Sequence, residues 1–188
     1  MNQDREHPRI VFVTGSPGVG KTTLMQRIHD HYKNKGLRVD GMVTREVRKG
    51  DERIGFKITD LSSGAEGWLA RMGDSIGPRI GQYSVDSEAL EEIGVGALKR
   101  AAERSADLVL VDEIGPMEMT SSAFRSTLAK LLSAGRNVIA TVKYGSHYPE
   151  IERLPGFAEA LSLEISSDNR EEMIQRILSI VDAWTKRS

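Results

Sequence analysis

The chain has 188 residues, which is enough for one well-buried domain and argues against two large ones. Its 26 basic and 27 acidic side chains give a net charge of −1, so no global basic field favours nucleic acid or an acidic membrane surface as a partner. There is no cysteine, no apolar run of membrane-spanning length and no secretory signal, which excludes disulfides and zinc thiolates and predicts a cytoplasmic protein. A monomer is expected, although no sequence feature sets the oligomeric state.

Residues 1–8 are polar and predict a frayed leader. The segment that follows, IVFVTGSPGVGKTT at residues 10–23, contains the full phosphate-binding loop pattern, Gly15-x-x-x-x-Gly20-Lys21-Thr22. Ile10 to Val13 predicts a buried parallel strand, and a helix is expected to begin near Lys21. A glycine-rich turn that binds nothing would not need Lys-Thr at this spacing.

Each residue type in this segment has a physical role. Glycines accept positive φ and let backbone N–H groups surround a phosphate, and the helix N-terminus adds the positive end of its dipole. Lys21 is predicted to bridge the β- and γ-phosphates as a catalytic residue, and the Thr22 hydroxyl to ligate Mg²⁺. The predicted nucleotide-binding residues are Gly15, Ser16, Pro17, Gly18, Val19, Gly20, Lys21, Thr22 and Thr23.

Residues 44–84 have a different sequence pattern from the rest of the chain. They follow a helix that Gly36 is expected to end and a strand predicted over residues 37–43. Short β-like pieces between turn residues predict an antiparallel hairpin or small meander, and residues 70–84 are predicted to be mostly loop. One of the arginines in this insertion could serve as an arginine finger, while most would be solvated: Arg45, Arg48, Arg53, Arg71 and Arg79.

Strands and helices alternate in the remainder of the chain. Helices are predicted over residues 86–101, 120–134 and 168–186, and strands over 107–111, 137–142 and 161–165. Short connections between them predict an α/β fold, a doubly wound and mainly parallel sheet with a small antiparallel insertion at 44–84, in one domain spanning residues 1–188. Residues 143–156 are expected to form a polar loop, and Trp184 to lie in the core.

An acidic pair, Asp112-Glu113, follows one of these apolar strands, as in a Walker B motif. Asp112 is predicted to hold Mg²⁺ together with Thr22, and Glu113 to act as the catalytic base for water. Without the phosphate-binding loop, a helix cap and a solvated glutamate would be the better interpretation. Thr141 either contacts the attacking water or γ-phosphate or is an ordinary strand residue, and His147 is expected at the surface.

Five segments give the chain a resemblance to the THEP1-type nucleoside-triphosphatases: residues 15–23, 41–48, 53–58, 81–86 and 111–118. The last, VDEIGPME, is more specific than the phosphate-binding loop. The resemblance implies a RecA-like core, Mg²⁺-dependent hydrolysis of ATP, GTP and other nucleoside triphosphates, and metal and base roles for Asp112 and Glu113. Many members carry Thr-Val-His-Arg where this chain has Thr141-Val142-Lys143-Tyr144, so Lys143 would retain a positive charge without proton exchange near neutral pH.

These observations predict a nucleoside-triphosphatase with broad base specificity. A small-molecule or nucleotide kinase using the same loop is the alternative enzyme, and release of free phosphate without an acceptor would distinguish the two. A nucleotide-dependent RNA-associated switch is the alternative from another class. Near-neutral charge and the lack of an aromatic-basic face argue against a nucleic-acid partner.

Overall fold

The computed structural model describes residues 9–73, 76–104 and 106–186, so the predicted leader of residues 1–8 lies outside the described residues. The strands are β1 (Ile10–Thr14), β2 (Val39–Lys49), β3 (Glu52–Asp60), β4 (Glu66–Met72), β5 (Arg79–Ile80), β6 (Tyr83–Val85), β7 (Leu108–Ile114), β8 (Val138–Val142) and β9 (Leu161–Glu164). The helices are α1 (Lys21–Asn34), α2 (Ser87–Ala89), α3 (Gly96–Glu103), α4 (Ser122–Ser133), α5 (Pro149–Glu152), α6 (Pro155–Ala158) and α7 (Arg170–Thr185).

The strands form one sheet in the order β5-β6-β4-β3-β2-β7-β8-β1-β9. From β2 to β9 all neighbours run parallel, and from β2 to β5 all neighbours run antiparallel. The predicted doubly wound, mainly parallel sheet with an antiparallel addition is confirmed. Because the carboxyl ends of parallel strands share one edge, the residues that follow β1 and end β7 lie at the same edge of the sheet.

Strand β2 joins the two halves of the sheet. We expected a strand ending at residue 43 and a separate insertion, but β2 continues through Val43 to Lys49. Its first half pairs with β7 and its second half with β3, so the insertion extends the main sheet. The predicted meander is confirmed. The segment predicted to be mostly loop, residues 70–84, instead contains β5 and β6, which pair with each other across a turn at Gly81.

Both faces of the sheet are covered by apolar helix surfaces. On one face α1 and α7 bury Leu24, Ile28 and Trp184, and Trp184 is a core residue as predicted. On the other face α3 and α4 bury Leu98 and Phe124. None of the helices in the described ranges is long and apolar enough to cross a bilayer.

The helical region that begins after Asp86 is not one regular helix. Asp86 caps it by accepting a hydrogen bond from the backbone N–H of Ala89, but residues Leu90–Val95 form a π-helical segment between α2 and α3. A Cβ on Gly94 would lie 2.7 Å from Ile58 Cδ1 and 3.3 Å from Met42 Sδ. The glycine therefore lets this widened turn pack directly on β2 and β3.

Gly41 provides a test of how β2 is held against β7. Its φ is +119°, and a Cβ there would lie 1.9 Å from the backbone oxygen of Leu110. We expect Gly41→Ala to lower the free energy of unfolding by roughly 2–4 kcal/mol, because backbone strain and a backbone clash coincide. Urea denaturation measures this loss.

Gly36→Ala is the matched control, because Gly36 has a φ of +81° but no atom within 4 Å of the added Cβ. Strain alone should cost about 1 kcal/mol there. Equal losses in the two variants would contradict the packing explanation.

Candidate active site

The phosphate-binding loop lies between the end of β1 and the start of α1. A Cβ on Gly15 would lie 2.5 Å from the backbone oxygen of Ile165, so only glycine allows the loop to leave β1 beside the end of β9. Gly20 has a φ of +105° and is the N-cap of α1. The loop is therefore a turn between strand β1 and helix α1, as the sequence predicted. The N-terminus of α1 faces the carboxyl edge of the sheet.

Lys21 folds back across the start of this loop. Its Nζ donates a hydrogen bond of 2.8 Å to the backbone oxygen of Gly15 and a longer one of 3.5 Å to that of Ser16. The ammonium group is thus held over the loop by neutral carbonyl groups. A phosphate chain entering the loop would meet this cation.

Asp112 is a buried carboxylate near the end of β7, with 1% of its surface exposed. Its Oδ1 accepts a hydrogen bond from the hydroxyl of Thr141 on β8, whereas its buried Oδ2 has no hydrogen-bond partner among the described residues. Burial raises the pKa of Asp112 to about 6, against the opposing effects of the Thr141 and Thr22 side chains. Thr141 therefore orients Asp112, a role that neither of its sequence interpretations included.

Glu113 and Glu118 approach each other around Gly115. A Cβ on Gly115 would lie 2.9 Å from Glu113 Oε1 and 2.9 Å from Glu118 Oε2. Burial raises the pKa of Glu113, and the positive charges of Lys21 and Lys143 lower it. Glu113 is therefore within electrostatic reach of the lysine of the phosphate-binding loop.

Glu118 is almost completely buried, with 3% of its surface exposed. Burial raises its pKa to about 8, and the negative charges of Glu113 and Asp112 act in the same direction. Hydrogen bonds from backbone groups of Glu118 and Gly115 partly oppose this rise. Glu118 consequently holds a proton at neutral pH, which the sequence alone did not indicate.

Three of the five arginines singled out in the insertion pair with its own carboxylates. Arg45 contacts Glu66 at 2.7 Å, and Arg48 and Arg53 both contact Glu46. The guanidinium of Arg71 lies over the ring of Trp68. His147 is exposed, as expected, and lies 3.4 Å from a carboxylate oxygen of Glu152.

A cavity of about 280 Å³ lies beside the ends of β1, β7 and β8. Its wall is largely apolar and includes Phe12, Ile114, Val142 and Phe157. The predicted polar loop after β8, which includes Lys143, covers this cavity and contains the short helix α5. The residues that differ from the Thr-Val-His-Arg pattern thus line a space next to the strand edge.

Comparisons with known proteins agree over most of the chain. A model of the NTPase family matches residues 10–178. The nucleoside-triphosphatase THEP1 of Thermotoga maritima is 41% identical over 171 residues, which cover 91% of this chain and 94% of that protein. The range matched by the family model includes the phosphate-binding loop and the acidic strand β7.

Two solved structures are similar in fold. The crystal structure of THEP1 from the hyperthermophile Aquifex aeolicus has a TM-score of 0.77 and 32% identity, covering 92% of this chain and 98% of that chain. The solution structure of a human cancer-related nucleoside triphosphatase has a TM-score of 0.77 and 33% identity, covering 93% and 98%.

The buried Glu118 should make stability depend on pH. Its pKa is about 8 in the folded chain against an ordinary value of 4.5, so the folded protein binds the extra proton between these values. The free energy of unfolding therefore falls as the pH rises through this window. Gln cannot titrate, so wild type should lose on the order of a few kcal/mol relative to Glu118→Gln between about pH 5 and about pH 9. Urea denaturation of nucleotide-free protein checks this, and parallel pH profiles for the two proteins would contradict it.

Proposed function

The chain belongs to the NTPase family of THEP1-type nucleoside-triphosphatases, and from this premise we propose that it hydrolyses ATP, GTP and other nucleoside triphosphates in a Mg²⁺-dependent reaction with broad base specificity. It is a hydrolase of nucleoside triphosphates. The residues at the strand edge support the proposed metal dependence and broad base specificity. Nucleotide binding is assigned to Gly15, Ser16, Pro17, Gly18, Val19, Gly20, Lys21, Thr22 and Thr23.

One oxygen of the buried Asp112 carboxylate has no hydrogen-bond partner among the described residues, and this observation carries the proposal for Mg²⁺. The Thr22 side chain stabilises the charged form of the same carboxylate, so a hydroxyl and a carboxylate oxygen are near each other. No cluster of three or more His, Asp or Glu that could hold a metal ion occurs within the described ranges. Magnesium suits such a site, because it is usually held by one or two protein ligands together with substrate phosphates.

Thr22 and Asp112 would therefore hold the metal ion. When bound, the metal ion would supply positive charge that neutralises the charge of the substrate phosphates. Thr141 keeps Asp112 in place through its hydroxyl, and the loop amides and Lys21 bind and orient the phosphate chain. In a reaction that depends mainly on positioning and charge neutralisation, these contacts are expected to supply much of the rate.

We assign the water-activating role to Glu113. The water oxygen forms a bond to the γ-phosphorus while the bond to the β,γ-bridging oxygen breaks, and the water's proton passes to the Glu113 carboxylate. The products are a nucleoside diphosphate and phosphate. Glu118 is less suited to this role, because its carboxyl group already holds a proton at neutral pH.

Broad base specificity rests on the groups assigned to the substrate. The loop amides, Lys21 and Thr22 engage phosphate and metal, which all nucleoside triphosphates share. The absence of cysteine supports our further proposal of a cytoplasmic enzyme, and the balanced charge supports the proposal that it has no nucleic-acid partner. We also propose that the enzyme is a monomer.

Steady-state phosphate release from ATP, GTP, CTP and UTP, with Mg²⁺ and with EDTA, tests the proposed function. We expect kcat/KM values within about 100-fold of one another, which corresponds to roughly 2.7 kcal/mol, and negligible turnover in EDTA. A larger preference for one nucleotide would contradict broad specificity. Undiminished turnover in EDTA would contradict the metal assignment.

Glu113→Gln should still bind nucleotide and Mg²⁺ but turn over slowly. Gln keeps the size of Glu but cannot accept a proton at neutral pH, so kcat should fall by about 10² to 10⁴ with little change in affinity. Single-turnover hydrolysis alongside equilibrium binding measures both quantities.

Glu118→Gln is the matched control, because it replaces a neighbouring carboxyl that is already protonated. Its kcat should fall by less than about tenfold. If Glu113→Gln hydrolyses ATP within a few-fold of wild type while Glu118→Gln does not, the two roles are reversed.

A further inference from the structure

Arg170, the first residue of α7, packs its guanidinium group against the phosphate-binding loop. A Cβ built on Gly20 would lie 3.0 Å from Arg170 Nε, 3.1 Å from Cζ and 3.5 Å from Nη1. Three atoms of the planar group are at similar distances from one point, so the guanidinium lies broadside over Gly20. The side chain thus touches the loop at Gly20, the N-cap residue of α1.

Among the described residues, this guanidinium has no carboxylate partner. Its Nε is buried without a hydrogen-bond partner, and within residues 9–73, 76–104 and 106–186 the group forms no hydrogen bond or ion pair. The positive charge of Arg170 helps to lower the pKa of Glu171, but the Glu171 carboxylate forms its two hydrogen bonds with Arg27. Other partly buried arginines do find partners, such as Arg100 with Asp60.

The surroundings of Arg170 are electrostatically unfavourable for a cation. It lies at the first position of α7 and beside the N-cap of α1, so it meets the positive ends of two helix dipoles. Both the dipoles and the partly desolvated guanidinium would be stabilised by an anion placed between them.

The turn between β9 and α7 holds Arg170 in this position. Asn169 accepts a 2.8 Å hydrogen bond from the backbone N–H of Ser166 and donates a 3.1 Å bond to the backbone oxygen of Glu164. Because β9 pairs directly with β1, this turn lies next to the loop that leaves β1. The position of the arginine is therefore set by the sheet.

We infer that Arg170 is a positioning residue for the nucleotide, and that its guanidinium binds the phosphate nearest the nucleoside. Amides of a phosphate-binding loop surround the α- and β-phosphates, while the lysine reaches the β- and γ-phosphates. Lys21 points to Gly15 at the start of the loop, whereas Arg170 covers Gly20 at its end. The two cations would hold opposite ends of the phosphate chain. This assignment rests on the proposed binding of the triphosphate in the loop.

Binding of ADP and of inorganic tripolyphosphate to Arg170→Gln, measured by titration calorimetry, tests this role. Tripolyphosphate has no base or sugar, and its third phosphate can occupy the α-position. Since a hydrogen bond to a charged group typically contributes one to two orders of magnitude in affinity, the Kd of both probes should rise roughly 10- to 100-fold. Steady-state ATP hydrolysis should show a similar rise in KM with kcat within about twofold, because the contact acts equally before and during reaction. Arg170→Lys should recover part of the affinity.

Arg176→Gln is the control, since Arg176 is exposed on the same helix, and it should leave both Kd values unchanged. Unchanged Kd values in Arg170→Gln, with Lys21→Ala losing both probes, would overturn the role of Arg170 and leave the proposed function intact. A loss for ADP but not for tripolyphosphate would also overturn it, because Arg170 would then contact base or ribose. Unchanged binding in Lys21→Ala would overturn the loop as the phosphate site and this inference with it.

Discussion

The chemistry proposed for this protein depends on carboxyl groups that are buried at the carboxyl edge of the sheet. Asp112 and Glu113 lie on β7, and Glu118 follows shortly after this strand. Burial raises the pKa of all three carboxyl groups. Lys21 is the cation of the phosphate-binding loop that acts on Asp112 and Glu113. Burying a charged carboxylate is costly unless its charge is neutralised, so the proposed Mg²⁺ would stabilise the charged forms of Asp112 and Glu113, whereas the protonated Glu118 carries no charge.

The parallel sheet makes this arrangement possible. Strand β8 lies between β7 and β1, so Thr141 on β8 can hold Asp112 while the loop after β1 stays beside it. Beyond β2 the same sheet turns antiparallel, and most of the arginines there are engaged by Glu46 and Glu66. The antiparallel part of the sheet therefore neutralises much of its own charge. Arg170, beside the phosphate-binding loop, forms no ion pair within the described residues.

Much of the fold could be predicted because local patterns are strong where strands are buried and helices amphipathic. The predicted strand over Ile10 to Val13 and the helix predicted to begin near Lys21 match the structure for this reason. The continuous β2 was missed, because its second half is held by pairing with β3, a partner that a strand pattern does not name. The sequence assigned no role to Glu118 and left two interpretations of Thr141. Burial and cross-strand hydrogen bonds decide both cases, and they depend on residues that are distant in the chain.

The family, the phosphate-binding loop and the acidic pair could be recognised from the amino-acid sequence, because each is a contiguous motif whose chemistry depends on residue type and spacing. Three further features became visible in the folded chain: Glu118 is buried beside Glu113, Thr141 orients Asp112 and Arg170 lies on Gly20. The reason is physical. A side chain's charge state and partners depend on desolvation and on contacts between residues far apart in the chain, and the packing of β9 beside β1 creates the contact of Arg170 with Gly20 across 150 positions.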